Sequence, residues 1–178
     1  MRPEVDESAR MKPQATHPKR LPYRDVPTLL RALHAGPADA TKDALEWLIL
    51  TATMTVETRG ARFAEVSEKT ATWTIPPERR KSTEHIIPLS KRALEIFAAS
   101  KKRHSGKGDF IFESKRGQPL SSMALLMQMR RLKTTAVPHG FRYTFRAWAA
   151  DRDKAPSDRR ELLNEWSSFC ATGGKWRH

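Results

Sequence analysis

Cysteine, tyrosine and long apolar runs are all scarce in this sequence. One cysteine, Cys170, occurs among 178 residues, which excludes a disulfide within the chain and disfavours a cysteine-based zinc site. No apolar run approaches the roughly 20 residues that cross a bilayer. The first twenty residues, MRPEVDESARMKPQATHPKR, lack the apolar block of a secretion signal. We therefore expect a cytoplasmic protein with no membrane partner, no metal site and a buried cysteine.

Acidic residues are also the minority, since 20 Asp and Glu oppose 33 Lys and Arg, for a net charge of +13. Residues 101–150 hold eleven Lys or Arg and only two acidic residues, so this segment alone carries +9. Such a field favours a polyanion, and nucleic acid is favoured over an anionic membrane because no lipid-facing amphipathic segment accompanies the charge. A merely solubilising surface, as on basic ribosome-associated proteins, is the alternative.

Hydrophobic periodicity predicts a mainly α fold of the α+β class with a small antiparallel sheet. Helices are predicted in the stretches YRDVPTLLRALHAG, ATKDALEWLILTATMTVETRGARF, SKRALEIFAASKKR, LSSMALLMQMRRL, HGFRYTFRAWAADR and SDRRELLNEWSSFCA. Strands are predicted at 70–76, 84–89 and 109–114. Four tryptophans within apolar patterns are predicted to be core residues: Trp47, Trp73, Trp148 and Trp166. Residues 1–20 are predicted to be a flexible arm, 21–172 one domain and 173–178 a tail.

The stretch PHGFRYTFRAW, residues 138–148, has the composition of a phosphate-binding site. In a helix, His139 and Arg142 share one face near the N-terminus, where free backbone N–H groups attract anions. Arg142 could hold two phosphate oxygens and His139 could donate to a phosphate or move a proton. A surface charge beside a capping histidine is the alternative. Tyr143 points about 100° away from Arg142 around the helix, so we reject it as a nucleophile on the same phosphorus.

Five blocks carry a resemblance to a known family. They read LPYRDVPTLLRAL, LEWLILTATMTVETRGARFAEV, TWTIPPERRKSTEHIIPLSKRALEI, FIFESKRGQPLSSMALLMQMRRL and HGFRYTFRAWAADR. In this order they resemble the catalytic domain of phage and genomic-island integrases, members of the tyrosine recombinase family, over about residues 21–171. Such enzymes cut one DNA strand with a tyrosine, hold a 3′-phosphotyrosyl link and rejoin the strand without metal or nucleotide. The resemblance implies an integrase-type fold of helices around a three-stranded antiparallel sheet, double-stranded DNA as partner and no cofactor.

Three family positions are matched. Lys81, in the hairpin loop, matches the lysine that protonates the leaving 5′-oxygen, and Arg80 takes this place if the register is shifted by one. His139 and Arg142 match the family's His-x-x-Arg pair. The resemblance therefore implies catalytic roles for these residues.

Three family positions are not matched. The first family arginine stands three residues before a glutamate, here Glu57, and that position is Met54. A thioether cannot hold a phosphate, and the loss of one such contact commonly lowers a rate by roughly 10² to 10³. The segment DRDKAPSD runs directly into RRELLNEW, where the family has a further histidine and the nucleophilic tyrosine. Neither Tyr23 nor Tyr143 matches that tyrosine, so we expect a truncated, degenerate and inactive catalytic domain.

The segment KRGQPLSSM resembles the family's turn into a helix that approaches DNA. Lys115, Arg116 and Ser121 are therefore candidate DNA contacts, together with Arg130 and Arg131 in the basic end of that helix. The favoured function is a DNA-binding remnant of an integrase, for which a full-length integrase is a candidate partner. A regulator or decoy derived from an integrase is the second reading, and an unrelated basic RNA-binding protein is the third.

Overall fold

The computed structural model describes residues 19–80, 83–152 and 158–173. The helices are α1 (Val26–His34), α2 (Ala40–Thr51), α3 (Thr55–Arg59), α4 (Lys91–Arg103), α5 (Ala124–Arg131), α6 (Phe141–Ala150) and α7 (Arg159–Thr172). Short 3-10 helices lie at Tyr23–Asp25, Phe63–Glu65, Pro77–Arg79 and Pro138–Gly140. The strands are β1 (Val66–Ser67), β2 (Thr72–Ile75) and β3 (His85–Pro88). Most of the predicted arm and tail lies outside the described residues. Within those residues, no helix is long and apolar enough to span a membrane.

Side-chain caps fix where several helices begin. The carboxylate of Asp39 accepts hydrogen bonds from two first-turn N–H groups of α2, at 2.8 and 2.9 Å. The hydroxyl of Ser90 accepts one in α4 at 3.3 Å. Asp158 caps α7 at 2.9 Å, and Gly173, with φ of +76°, ends that helix in the left-handed conformation. The first residue of α7, Arg159, is thereby held at a defined place.

The sheet is three-stranded and antiparallel in the order β1-β2-β3, which confirms the predicted fold class. In the β2–β3 pair, Trp73 lies opposite Ile87 and Ile75 lies opposite His85. The side chains of Trp73, Ile75 and Ile87 are fully buried, because alternate residues of a strand face the core. His85 is only partly buried and lies at the end of β3 that adjoins the hairpin loop.

The prediction of a strand at 109–114 is wrong. This segment forms only isolated bridges, pairing Phe110 with Arg62 and Glu113 with Pro119, and the third strand of the sheet is β1. Ile111 and Phe112 are neighbours and both are buried, whereas a strand with one exposed face alternates. The apolar run therefore fills the core as an irregular segment rather than extending the sheet.

The core surrounds α2, whose residues 43–51 are all buried. Trp47 packs edge-to-face against Trp73 and Phe112, with ring centroids 5.5 and 5.7 Å apart. Trp148 and Trp166 are equally buried. The prediction that these four tryptophans are core residues is confirmed.

Helix α7 closes the domain as its apolar stripe predicts. Leu163, Trp166 and Phe169 are buried, and the Trp166 indole N–H donates to the carbonyl of Ile49 in α2 at 2.8 Å. Cys170 is buried as expected, and burial raises the pKa of its thiol well above the usual value. Because α7 is anchored to α2 in this way, its N-terminal turn is carried to the sheet and the hairpin loop.

Candidate nucleic-acid interface

A cleft of about 230 Å³ lies where the end of α2, α3, the β2–β3 hairpin, α6 and α7 meet. Its described lining comprises Ala52, Thr53, Glu57, Arg80, His85, Arg142, Phe145, Arg146 and Arg159. Four arginines against one glutamate leave this lining with a net charge of +3 when His85 is neutral. A concave site with such an excess attracts anions.

Glu57 of α3 is the carboxylate of this cleft, and its charge is already engaged. Its side chain is only 3% exposed. One oxygen, Oε2, accepts a hydrogen bond from the Met54 backbone N–H at 2.8 Å, which caps α3. The other oxygen, Oε1, lies 3.5 Å from Nε of Arg80. Glu57 therefore pairs with Arg80, and among the described residues no carboxylate oxygen lies within 4 Å of a nitrogen of the other three lining arginines.

Arg142 and Arg146 come from α6, one turn apart on the same face. His139 precedes this helix in a 3-10 turn and is exposed. Its ring lies 6.0 Å from that of Tyr143, in an edge-on arrangement. The two members of the predicted His-x-x-Arg pair thus lie in different elements, and of the two only Arg142 lines the cleft.

Arg159 and His85 close the side of the cleft formed by α7 and β3. Nη2 of Arg159 lies 3.1 Å from Nε2 of His85. Since a guanidinium can only donate, Nε2 accepts and the neutral imidazole carries its proton on Nδ1. The neighbouring Arg160 donates to the carbonyls of Ala71 and Thr70 at 3.2 and 3.1 Å, which ties the start of α7 to the sheet.

The electrostatics of this side show that positive charge is crowded. Desolvation and the charges of Arg159 and Arg80 lower the pKa of His85. Desolvation and the charges of Arg142 and Arg80 likewise lower the pKa of the Arg159 guanidinium. A lowered pKa means that each cationic form is disfavoured where it stands. An anion bound between these groups would stabilise their cationic forms and so offset this cost.

Comparison with known proteins identifies the family. Residues 19–158 match the model of the phage integrase family. The chain belongs to this family. The prophage integrase IntZ of Escherichia coli strain K12 is 34% identical over 129 residues, which cover 70% of this chain and 32% of that protein. The chain therefore spans about a third of the length of this relative.

Solved integrase structures confirm the fold. The crystal structure of XerA recombinase matches 96% of this chain and 68% of that one, with a TM-score of 0.62 and 13% identity. The Tn1549 transposon integrase, solved with circular intermediate DNA, matches 93% of this chain and 64% of that one, with a TM-score of 0.59 and 15% identity. The chain thus shares the fold of these solved recombinase and integrase structures, as its sequence blocks predict.

The predicted catalytic residues of this integrase-family chain are only partly brought together. Lys81 lies outside the described residues. Arg80, its alternative, lines the cleft with Arg142. Met54 is half-buried at the start of α3, between the lining residues Thr53 and Glu57 in sequence. The catalytic roles of these residues stay predictions.

The predicted DNA contacts are exposed and lie outside the described lining of the cleft. Lys115 and Arg116 lie in a turn closed by a hydrogen bond of 2.9 Å from the Gly117 N–H to the Ser114 carbonyl. Ser121 is exposed before α5, and Arg130 and Arg131 are exposed in its last turn. None of the five predicted contacts belongs to the described lining of the cleft.

Sequence reasoning missed Arg159. The stretch RRELLNEW predicts only the beginning of a helix. In the structure its first arginine, Arg159, contacts His85, which lies 74 positions earlier in the chain. The one local signal is Asp158, a strong helix cap directly before two arginines. That signal places Arg159 in the first turn of a helix, but the contact with the hairpin depends on how α7 docks.

Proposed function

We propose that this chain binds the phosphate backbone of double-stranded DNA and does not cleave it with its own tyrosines. The observation that carries this proposal is the cleft, in which arginines from three elements converge around a single engaged glutamate. Guanidinium groups without carboxylate partners are the ordinary ligands of phosphate oxygens. The exposed basic residues of the +9 segment extend the same attraction over a wider surface.

Two further observations support binding without cleavage. Tyr23 donates its hydroxyl hydrogen bond to Asp151, and Tyr143 stands beside His139. Neither tyrosine belongs to the described lining of the cleft, and covalent catalysis needs a nucleophile in line with the leaving oxygen. Met54 also supplies no charge where the family has an arginine.

The relatives favour DNA over RNA as the partner. The Tn1549 integrase was solved with circular intermediate DNA, and a lambda integrase dimer was solved on a COC′ core site. We further propose that the chain is cytoplasmic and associates with a full-length integrase. The apolar side chains of Val56 and Ile86, 61% and 51% exposed, lie beside the cleft-lining Glu57 and His85 in sequence and would suit that contact.

Fluorescence anisotropy with a hydroxyl-ended duplex, at about 50 mM and about 200 mM salt, tests DNA binding. We expect weak binding with little sequence preference that falls steeply with salt, by about 0.9 in the log-log slope for each neutralised phosphate. Arg142→Gln should lower the affinity and reduce the slope by about one. Lys91→Gln, which removes an exposed charge outside the cleft lining, is the matched control. Salt-independent binding, or no binding at low salt, would contradict the proposal.

A suicide substrate with a nick near the scissile phosphate tests the absence of cleavage. We expect no covalent protein–DNA adduct on a denaturing gel, and neither Tyr143→Phe nor Tyr23→Phe should alter that result. An adduct that forms with the unmodified chain and disappears with Tyr143→Phe would show that Tyr143 is a nucleophile.

A further inference from the structure

We infer that the cleft prefers the terminal phosphomonoester of a DNA end to an internal phosphodiester, and that Arg159 supplies the guanidinium on which this preference depends. This inference rests on the proposed function and adds a substrate class to it. The chain would then bind phosphorylated ends or nicks more tightly than unbroken duplex.

The charge of the cleft favours a doubly charged phosphate. Its described lining carries four arginines and one glutamate, for a net charge of +3 with neutral His85. An internal phosphodiester brings one negative charge. A phosphomonoester brings about 1.5 to 2 negative charges at neutral pH. The monoester therefore neutralises more of the excess in a partly desolvated site, where each charge pair counts for more than in open solvent.

The directions of the cationic groups favour the same ligand. Arg80 approaches from the hairpin, Arg142 from α6 and Arg159 from α7. A phosphomonoester has three non-bridging oxygens and one point of attachment, so guanidinium groups from three elements can each meet an oxygen, Arg80 with the donors that its pairing with Glu57 leaves available. An internal phosphodiester has only two non-bridging oxygens. It is also joined to a nucleotide on each side, so a concave site must leave room for the strand in two directions.

Arg159 is suited to be the deciding group. A guanidinium has five N–H donors, and one nitrogen of Arg159 is directed to His85, so donors remain for a phosphate. Desolvation, together with the charges of neighbouring arginines, lowers the pKa of both Arg159 and His85, and a dianion offsets the repulsion between these charges. The hydrogen bonds from Arg160 to two carbonyls of the β1–β2 turn hold the start of α7 in place, so Arg159 lies at the cleft without a large ordering cost.

The test is competition anisotropy with duplexes of one sequence that differ only at their ends. The ends are hydroxyl, 5′-phosphate, 3′-phosphate, and a 5′-phosphate methyl ester that keeps the phosphorus but carries a single charge. We expect at least one phosphomonoester to bind about tenfold more tightly than the hydroxyl end, as one additional charge-assisted contact implies. The methyl ester should bind like the hydroxyl end. The 5′ and 3′ arms show which end is held.

Variants assign the effect to Arg159. Arg159→Gln should reduce the end preference to about twofold or less, Arg159→Lys should retain part of it, and Lys91→Gln should retain all of it. Equal affinity for phosphomonoester and hydroxyl ends would overturn the inference while leaving salt-dependent binding, and hence the proposed function, intact. A preference that persists in Arg159→Gln would overturn the assignment to Arg159. No binding of any duplex would overturn both the inference and the proposed function.

Discussion

Two groups of arginines in this molecule contrast with each other, one on the side of α2 and α4 and the other in the cleft. Arg92 of α4 donates two hydrogen bonds to the buried carboxylate of Glu46, at 2.8 and 2.9 Å. This contact raises the pKa of the Arg92 guanidinium. In the cleft, desolvation and two other arginines lower the pKa of Arg159. The same side chain is thus stabilised as a cation in one region and disfavoured as a cation in the other.

The net charge of +13 does not show which arginines are paired with carboxylates inside the fold. Arg92 and Arg103 neutralise the buried carboxylates of Glu46 and Asp43 and so hold helices together. The cleft arginines share Glu57 alone among the described lining residues. Charge that is matched within the fold serves stability, and charge that is left unmatched in a concave site serves an external anion.

The largest expected contrast is in folding stability. Arg92→Gln leaves the carboxylate of Glu46, 3% exposed, with the His34 imidazole as its remaining side-chain partner among the described residues. We expect a loss of about 2 kcal/mol in the free energy of unfolding, less than for a fully buried pair because Arg92 is 41% exposed. Arg159→Gln relieves repulsion and should change stability by no more than about 0.5 kcal/mol, in either direction. Urea unfolding at neutral pH measures both, and an equal loss in the two variants would contradict the distinction.

A smaller effect is expected when the excess charge of the cleft is increased. Met54→Arg adds a guanidinium between two lining residues and should raise the affinity for hydroxyl-ended duplex about fivefold at low salt. Met54→Leu, which keeps the size and adds no charge, is the control. Because the proposed function assigns no tyrosine as a nucleophile, Met54→Arg should yield no covalent adduct with a nicked substrate. Adduct formation by this variant would mean that an existing residue attacks the phosphorus.

Slow DNA cleavage is expected when a tyrosine nucleophile is supplied to the chain. If a tyrosine-bearing helix of the family is supplied together with Met54→Arg, then Arg142 and the predicted Lys81 and His139 should support slow cleavage. The nicked-substrate gel detects it. Arg142→Gln in that background should remove the activity, and a persistent adduct would show that Arg142 does not contact the reacting phosphate.

The smallest expected effect is a change in one titration. Arg159→Gln removes a cation and a hydrogen-bond donor from His85, so the pKa of His85 should rise from its lowered value toward the ordinary range. Lys91→Gln should leave it unchanged. Because the pKa of His85 is lowered in the folded state, the free energy of unfolding should decrease as the pH falls below about 6.5, where the unfolded state binds more protons. A pH titration of the imidazole by NMR measures the shift, and a fall in the pKa of His85 would contradict the crowding of cations.

The sequence predicts the fold better than it predicts the site. Periodicity identifies the buried tryptophans, and the stripe containing Trp166 predicts the closing helix, because both depend on local spacing. The apolar segment 109–114 is misjudged as a strand because a short buried run can fill a core without joining a sheet. Arg159 meets His85 only through the docking of α7 on α2. Tertiary contacts of this kind leave no local pattern to recognise.

The most direct test of the unmatched-charge account is an NMR titration of the arginine guanidinium signals with inorganic phosphate, at ionic strength held constant with chloride. The signals of Arg142 and Arg159 should shift together along one saturating curve, since both line the same cleft. The signal of Arg92, already bound to Glu46, should stay in place. If the cleft arginines do not respond, or if Arg92 responds equally, the distinction between matched and unmatched arginines is wrong.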